Sequence, residues 1–453
     1  MSTTVSRNPY TGDEINSYKN YSKQKVAEII DKADKQFYNW RETSFAERKK
    51  LMLAAASELI KNKEEYANTM TLEMGKPITQ AIAEIEKCAW VCEYYAQNAE
   101  KHLENEVIKS DAYKSYVSFE PLGAVLAVMP WNYPYWQVFR FAAPALMAGN
   151  IGVLKHASNV FGCALNIEKI FKRAGFPDYC FSTLLIGGKD VEAVIENEKI
   201  KAATLTGSGP AGASVASIAG KNIKKSVLEL GGSNALVVFK DCDIEKTVDT
   251  CVQARFQNTG QSCIAGKRLL IDASISEEFT EKLLVKVREL KAGNPMDEDT
   301  FIGTMAREDL AEDLEKQVNE SIKAGAKLLI GGKRQGAFFE PTVLTNVTKS
   351  MAVFKEETFG PALAITTFKT EEEAVELSNN SKFGLGVSLF TKDVKRAETL
   401  AFQFEEGAVF INELVKSDPR LPFGGIKESG YGRELSKYGI REFINKKTIY
   451  INK

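Results

Sequence analysis

GAVLAVM at residues 123–129, with the apolar runs GVL at 152–154, STLLI at 182–186, AATLT at 202–206 and SVLEL at 226–230 behind it, decides the architecture. Stretches of helical spacing separate these runs, and such alternation marks a parallel, doubly wound sheet covered by helices on both faces. A second series starts after Gly231 and Gly232, with runs at 235–239, 268–271, 328–330, 387–390 and 408–411. The fold class is therefore α/β, with two such domains in tandem. A chain of 453 residues also exceeds what one hydrophobic core comfortably holds.

Upstream, the first hundred residues read as helices. Val26, Ile29, Ala33 and Phe37 recur at helical spacing, Ser44 and Glu47 form a capping box ahead of the apolar segment 51–60, and a third amphipathic helix is expected over about 78–102. Residues 109–119 turn extended, with Tyr113, Tyr116 and Val117 among polar neighbours, as in an exposed hairpin. The terminal 447–452 reads as a lone strand suited to pair with it.

Composition removes several function classes. Lys and Arg total 59 against 60 Asp and Glu, so no global basic field exists to hold nucleic acid or an anionic bilayer. The longest apolar run falls far short of a membrane span, and the opening MSTTVSR lacks the apolar segment of a signal peptide, which makes the cytoplasm the default location. Seven cysteines without a CxxC pair point to reduced thiols. Only His102 and His156 are present, too few for a His-rich zinc site, so no metal is expected and proton transfer falls to carboxylates, lysines or water.

Four segments carry candidate chemistry. In FQNTGQSCIAGKR (256–268), Gly260 permits a sharp turn that exposes Cys263, with Lys267 and Arg268 close behind to favour a thiolate; taken alone, a single cysteine reads more readily as a small buried hydrophobe. In VLELGG (227–232), Glu229 is a lone carboxylate in an apolar strand, costly unless it lies at an edge, is paired or serves a site. In MPWNYP (129–134), Asn132 at a strand end is suited to cap a helix or to donate to an oxyanion, a contact worth roughly 10²–10³ in rate. LTGSGPAG (205–212) contains GxGxxG between a strand and a helix, but in the fourth strand unit rather than the first, so the literal dinucleotide fingerprint is discounted.

Together the segments resemble the NAD(P)-dependent aldehyde dehydrogenase superfamily. The PWN, GSxxxG, ELGG, GQxC, EExFGP and PFGGxKxSG motifs follow one another in order, from Trp131 through 356–361 to 422–430, and likeness extends from NPYTG at 8–12 to SGYG at 429–432. The resemblance implies a discontinuous cofactor-binding domain (1–106 and 120–230), a catalytic domain (231–428) and a small β oligomerisation arm (107–119 and 429–453), with a homodimer or homotetramer as the assembly. It gives Cys263 as nucleophile, Glu229 as general base and Asn132 as oxyanion donor beside the Cys263 backbone N–H. Gly207 and Ser208 would meet the pyrophosphate, Glu357 and Phe359 the nicotinamide ribose and ring, and Trp131, Lys155, Ser158 and Leu230 the rest of the cofactor.

Many NAD-preferring relatives carry a glutamate where Ser158 stands. Serine leaves room for a 2′-phosphate and Lys155 can pair with it, so NADP is expected as the preferred cofactor and NAD as the weaker one. The segments KHASN (155–159) and SDPRLPFGG (417–425) are similar to bacterial succinate-semialdehyde dehydrogenases. A helix starting near Pro134 would place Tyr133, Trp136 and Arg140 on one face toward the substrate, with Arg140 forking onto a distal carboxylate or held in a structural ion pair. Ser262, Ser417 and Phe423 are further candidates for the tunnel wall. The expected substrate is succinate semialdehyde, the alternatives being another small aliphatic aldehyde or a cysteine-dependent esterase or thioesterase.

Overall fold

Nearly every residue in the first series of apolar runs is buried, as strands sandwiched between helices must be. The computed structural model describes residues 2–453. In its first sheet the spatial order is Gly430–Tyr431, Lys225–Glu229, Ile200–Thr206, Ala124–Met129, Ile151–His156 and Phe181–Thr183, all parallel except the first. The chain winds outward from Ala124–Met129 in one direction and then returns to its other side. Such a reversal opens a crevice beyond the strands' carboxyl ends, where α/β sheets bind ligands.

The second sheet runs Lys327–Ile330, Thr342–Thr345, Ala362–Phe368, Gly266–Asp272, Asn234–Val238, Val387–Phe390 and Val409–Ile411, antiparallel only at its first strand. Side-chain alternation splits its core in two: Ala235 and Val237 pack on one face, Leu236 and Val238 on the other. Only four residues separate Glu229 from Asn234. The carboxyl ends of the first sheet therefore meet the amino ends of the second, and a cleft lies between them.

Several expectations need correction. Residues 3–19 form a hairpin of Thr3–Arg7 and Glu14–Lys19 rather than a helix; its side chains are mostly polar and exposed, so no apolar period announces it. A helix at Lys63–Met74 and the central strand Ala362–Phe368 were not foreseen. The capping box and the helix Ile78–His102 are as expected, and Ile444–Ile451 pairs with Lys114–Pro121 along eight residues, beside Glu106–Val107. Segment 429–453 is not all arm: Gly430–Tyr431 joins the first sheet, opposite Glu229 and Leu228. Among the described residues no helix is long and apolar enough to cross a membrane.

Candidate active site

The loop after Ala124–Met129 is pinned from beneath. Glu84, on the helix Ile78–His102, accepts the N–H groups of Tyr135 and Trp136 at 2.9 Å each and is ion-paired with Lys76, whose Nζ lies 3.8 Å from the Tyr133 ring centre. His156 is buried, and burial pushes its imidazole down to about 4, so it is neutral near pH 7. Its Nδ1 accepts from Ala157 N at 2.9 Å, which leaves Nε2–H to donate to Pro134 O at 2.8 Å. These contacts aim Asn132 at the opposite domain, where its Nδ2 donates to Gln261 O at 3.1 Å. The helix itself starts at Trp136, so Tyr133 belongs to the loop and does not share a helical face with Trp136 and Arg140.

The loop that leads to Cys263 is tighter than a single glycine suggests. Asn258, Thr259 and Gly260 are all left-handed, with φ of 56°, 54° and 71°. Asn tolerates this region, whereas a β-branched residue there is strained by roughly 1–3 kcal/mol. The strain is held by bonds: Thr259 Oγ1 accepts from Gly303 N at 3.1 Å, while Asn258 donates from N to Gln80 Oε1 and from Nδ2 to Asn132 O and Gln261 O, and its carbonyl accepts from Gln261 N at 3.0 Å. A Cβ on Gly260 would stand 2.4 Å from Gly360 O, so only glycine fits. Cys263 emerges half-buried after this turn, beside buried Ser262.

Burial pushes the Cys263 thiol up to about 11, against the pull of Arg140 and Lys267. It therefore rests as a thiol and needs a base to ionise it. Lys267 is close enough to favour the thiolate by its charge but not to take the proton: its Nζ donates to Cys263 O at 3.0 Å and to Glu357 Oε1 at 2.8 Å, and bonds Gly232 O. Arg268 is not so placed. As the next residue along Gly266–Asp272 it points to the other face and bonds Ser233 O, Leu377 O and Ser378 O, a structural role.

Glu229 ends its strand 2% exposed, and neither carboxylate oxygen has a hydrogen-bond partner among the described residues. Desolvation, then the neighbouring Glu434, hold its carboxyl well above the ordinary range, with Arg140 opposing. A buried acid of this kind holds its proton firmly, and its carboxylate, once formed, is a strong base. Trp131 and Phe359 meet edge to face with centroids 5.7 Å apart, and Lys267 lies 5.6 Å from the Phe359 ring. The cleft thus brings together Trp131, Asn132, Cys263, Lys267, Glu357 and Phe359.

At the cleft's other end, Gly207 and Ser208 lead into the helix Gly209–Lys221. Ser208 occupies the N-cap but its side chain caps nothing, which leaves the first-turn N–H groups pointing at solvent. Lys155, ending the strand Ile151–His156, is buried and bonded to no side chain; desolvation lowers its pKa. Ser158 starts the short turn behind it, and Leu230 packs against Gly212. Among the described residues, an unpaired buried cation at the end of one strand and an uncapped helix start two strands away fit a phosphorylated dinucleotide. No group of three or more His, Cys, Asp or Glu able to hold a metal occurs among the described residues.

The expected tunnel residues divide. Trp136, Arg140 and Phe423 come together, the Arg140 guanidinium lying 4.5 Å from the Phe423 ring centre. Arg140, however, is 2% exposed and its Nε pairs with Glu434, while an Nη donates to Thr206 Oγ1 at 3.4 Å. The ion-pair reading holds over the free fork, because a guanidinium neutralised from inside the protein is a poor anion trap. Ser417 accepts from Lys87 at 3.0 Å. Sequence reasoning missed Lys76, Glu84, Lys87 and Asn258; Lys76 and Glu84 pair across eight residues, but the loop that Glu84 holds and the partner of Lys87 lie 51 and 330 residues away, and Asn258 alone, near Gly260, carried a local turn signal.

The aldehyde dehydrogenase family matches residues 2–449 of this chain. A probable succinate-semialdehyde dehydrogenase, NADP(+), from Synechocystis sp. is 49% identical over 447 residues, 98% of each chain. Succinate-semialdehyde dehydrogenase 1, NADP(+), from Mycobacterium bovis is 46% identical over 450 residues, again 98% of each. The crystal structure of succinic semialdehyde dehydrogenase from Streptococcus pyogenes, in complex with NADP+ as the cofactor, superposes with a TM-score of 0.97 at 35% identity, covering 99% of this chain and 100% of that one.

Proposed function

The chain belongs to the aldehyde dehydrogenase family, and from that premise we propose that it oxidises succinate semialdehyde to succinate with NADP, using NAD less well. The observation that carries the reading is Glu229, a buried carboxylate with no partner, facing a cleft that also holds a presented thiol. The names of the relatives from Synechocystis sp. and Mycobacterium bovis support the substrate. Unpaired Lys155 and small Ser158 support the choice of cofactor.

Cys263 passes its proton to a water, which serves as the base and returns it to solvent, and the thiolate attacks the aldehyde carbon. The resulting alkoxide is held by the second N–H of the Asn132 amide and the Cys263 backbone N–H. Bound nicotinamide supplies the hydride acceptor. Lys155, Ser158 and the first turn of Gly209–Lys221 would hold the phosphates, Leu230 would line the cofactor, and Glu357, here bonded to Lys267, would meet the ribose. Loss of hydride leaves a thioester on Cys263, and Glu229 takes a proton from the water that hydrolyses it. The three-stranded arm, with Val107, Ile108, Tyr113 and Tyr450 exposed, joins copies of the chain into a homo-oligomer in the cytoplasm.

A steady-state panel tests this, with aldehydes of varied length and charge against both cofactors, read by absorbance of the reduced nicotinamide. The expected maximum in kcat/KM is succinate semialdehyde with NADP. A maximum with an uncharged aldehyde refutes the substrate, and one with NAD refutes the cofactor.

A further inference from the structure

We propose that Lys87 is the cation that reads the distal carboxylate of the substrate; the inference rests on the preceding reading that this substrate is succinate semialdehyde. Lys87 lies one turn beyond Glu84 on the helix Ile78–His102 and is half-buried. Its Nζ donates to Ser417 Oγ at 3.0 Å and sits 4.3 Å from the Trp136 ring centre. An ammonium has three donors, so two remain.

What singles Lys87 out is the surplus of positive charge around it. Every carboxylate nearby is already committed: Glu84 to Lys76, Glu434 to Arg140, and Asp418 to Arg420 through bonds of 2.9 and 2.6 Å. Lys87 itself joins no ion pair among the described residues, although it is half-buried and surrounded by Arg140, Cys88, Glu84 and Asp418. Desolvation and then Arg140 lower its pKa to about 8, as expected of a cation short of a counter-ion. Trp136, over which Lys87 lies, comes four residues after Asn132, whose Nδ2 bonds Gln261 O two residues before Cys263, so one short loop ties Lys87 to the thiol's surroundings. An aldehyde bound to Cys263 with a carboxylate at its far end brings the missing negative charge. An uncharged aldehyde of equal length leaves the ammonium unpaired, and this difference is the source of selectivity.

The test compares kcat/KM for succinate semialdehyde with kcat/KM for butanal, in the wild type and in Lys87→Met, Lys87→Arg and Arg140→Leu. The wild-type ratio should be well above one, and Lys87→Met should lower it about tenfold to a hundredfold, the range of a charge-assisted hydrogen bond. Lys87→Arg should restore most of the ratio; Lys87→Gln, which keeps a donor for Ser417, replaces Lys87→Met if that variant does not fold. A ratio within about twofold of wild type in Lys87→Met overturns the role of Lys87, as does a collapse confined to Arg140→Leu. A wild-type ratio near one means instead that the substrate reading has failed.

Discussion

Glu84 and Glu229 are both buried carboxylates, 4% and 2% exposed, and they are treated oppositely. Glu84 has an ammonium and two backbone N–H groups around it. Glu229 has neither among the described residues, and the charge that acts on it most is another acid, Glu434. Where the fold needs a loop fixed, burial is matched by bonds. Where a proton must move, the bonds are withheld and the protein retains the desolvation cost as basicity.

The largest expected effect breaks the satisfied member. Glu84→Ala strands a buried lysine and two N–H groups, and should destabilise by about 3–5 kcal/mol in chemical denaturation. A change under about 1 kcal/mol would show that the pair does not support the loop.

Glu229→Gln should have the opposite sign. Because folding raises this carboxyl above its ordinary value of 4.5, the folded state holds the proton more firmly, and stability is lost as pH rises through the raised range. An amide removes that loss. The variant should gain about 1–3 kcal/mol over wild type at mildly alkaline pH, with the difference shrinking as pH falls toward 4.5. A gain independent of pH would mean that the effect is packing and not charge.

Lys155 extends the comparison to a cation, since it too is buried without a partner. Lys155→Ala should lower the preference for NADP over NAD about tenfold, as one charge-assisted contact predicts. An unchanged preference, measured as the ratio of kcat/KM values, would assign Lys155 to structure.

The doubly wound sheets were legible because fully buried strands are written as apolar runs. Ala124–Met129 and Val387–Phe390 match the expected bounds residue for residue. Ala362–Phe368 was hidden by its place directly after a proline-ended motif that reads as a loop, and the hairpin at 3–19 by polar side chains. At the site, Cys263, Glu229 and Asn132 were legible through ordered motifs. Arg140 was read as a free fork because its partner Glu434 lies almost three hundred residues away, beyond the reach of any local pattern. Lys87 was overlooked for the same kind of reason: on an amphipathic helix a lysine looks like a solvated face until its surroundings are seen.

The account stands on a bond between the substrate and Cys263 that forms and is then hydrolysed with help from Glu229. The direct measurement is to mix Glu229→Gln enzyme, NADP and succinate semialdehyde, quench with acid during the first turnover, and examine the Cys263 peptide by mass spectrometry. A succinyl adduct on Cys263, accompanied by a burst of about one NADPH per active site and slow turnover afterwards, is the predicted result. Steady turnover at the wild-type rate with an unmodified Cys263 would contradict it.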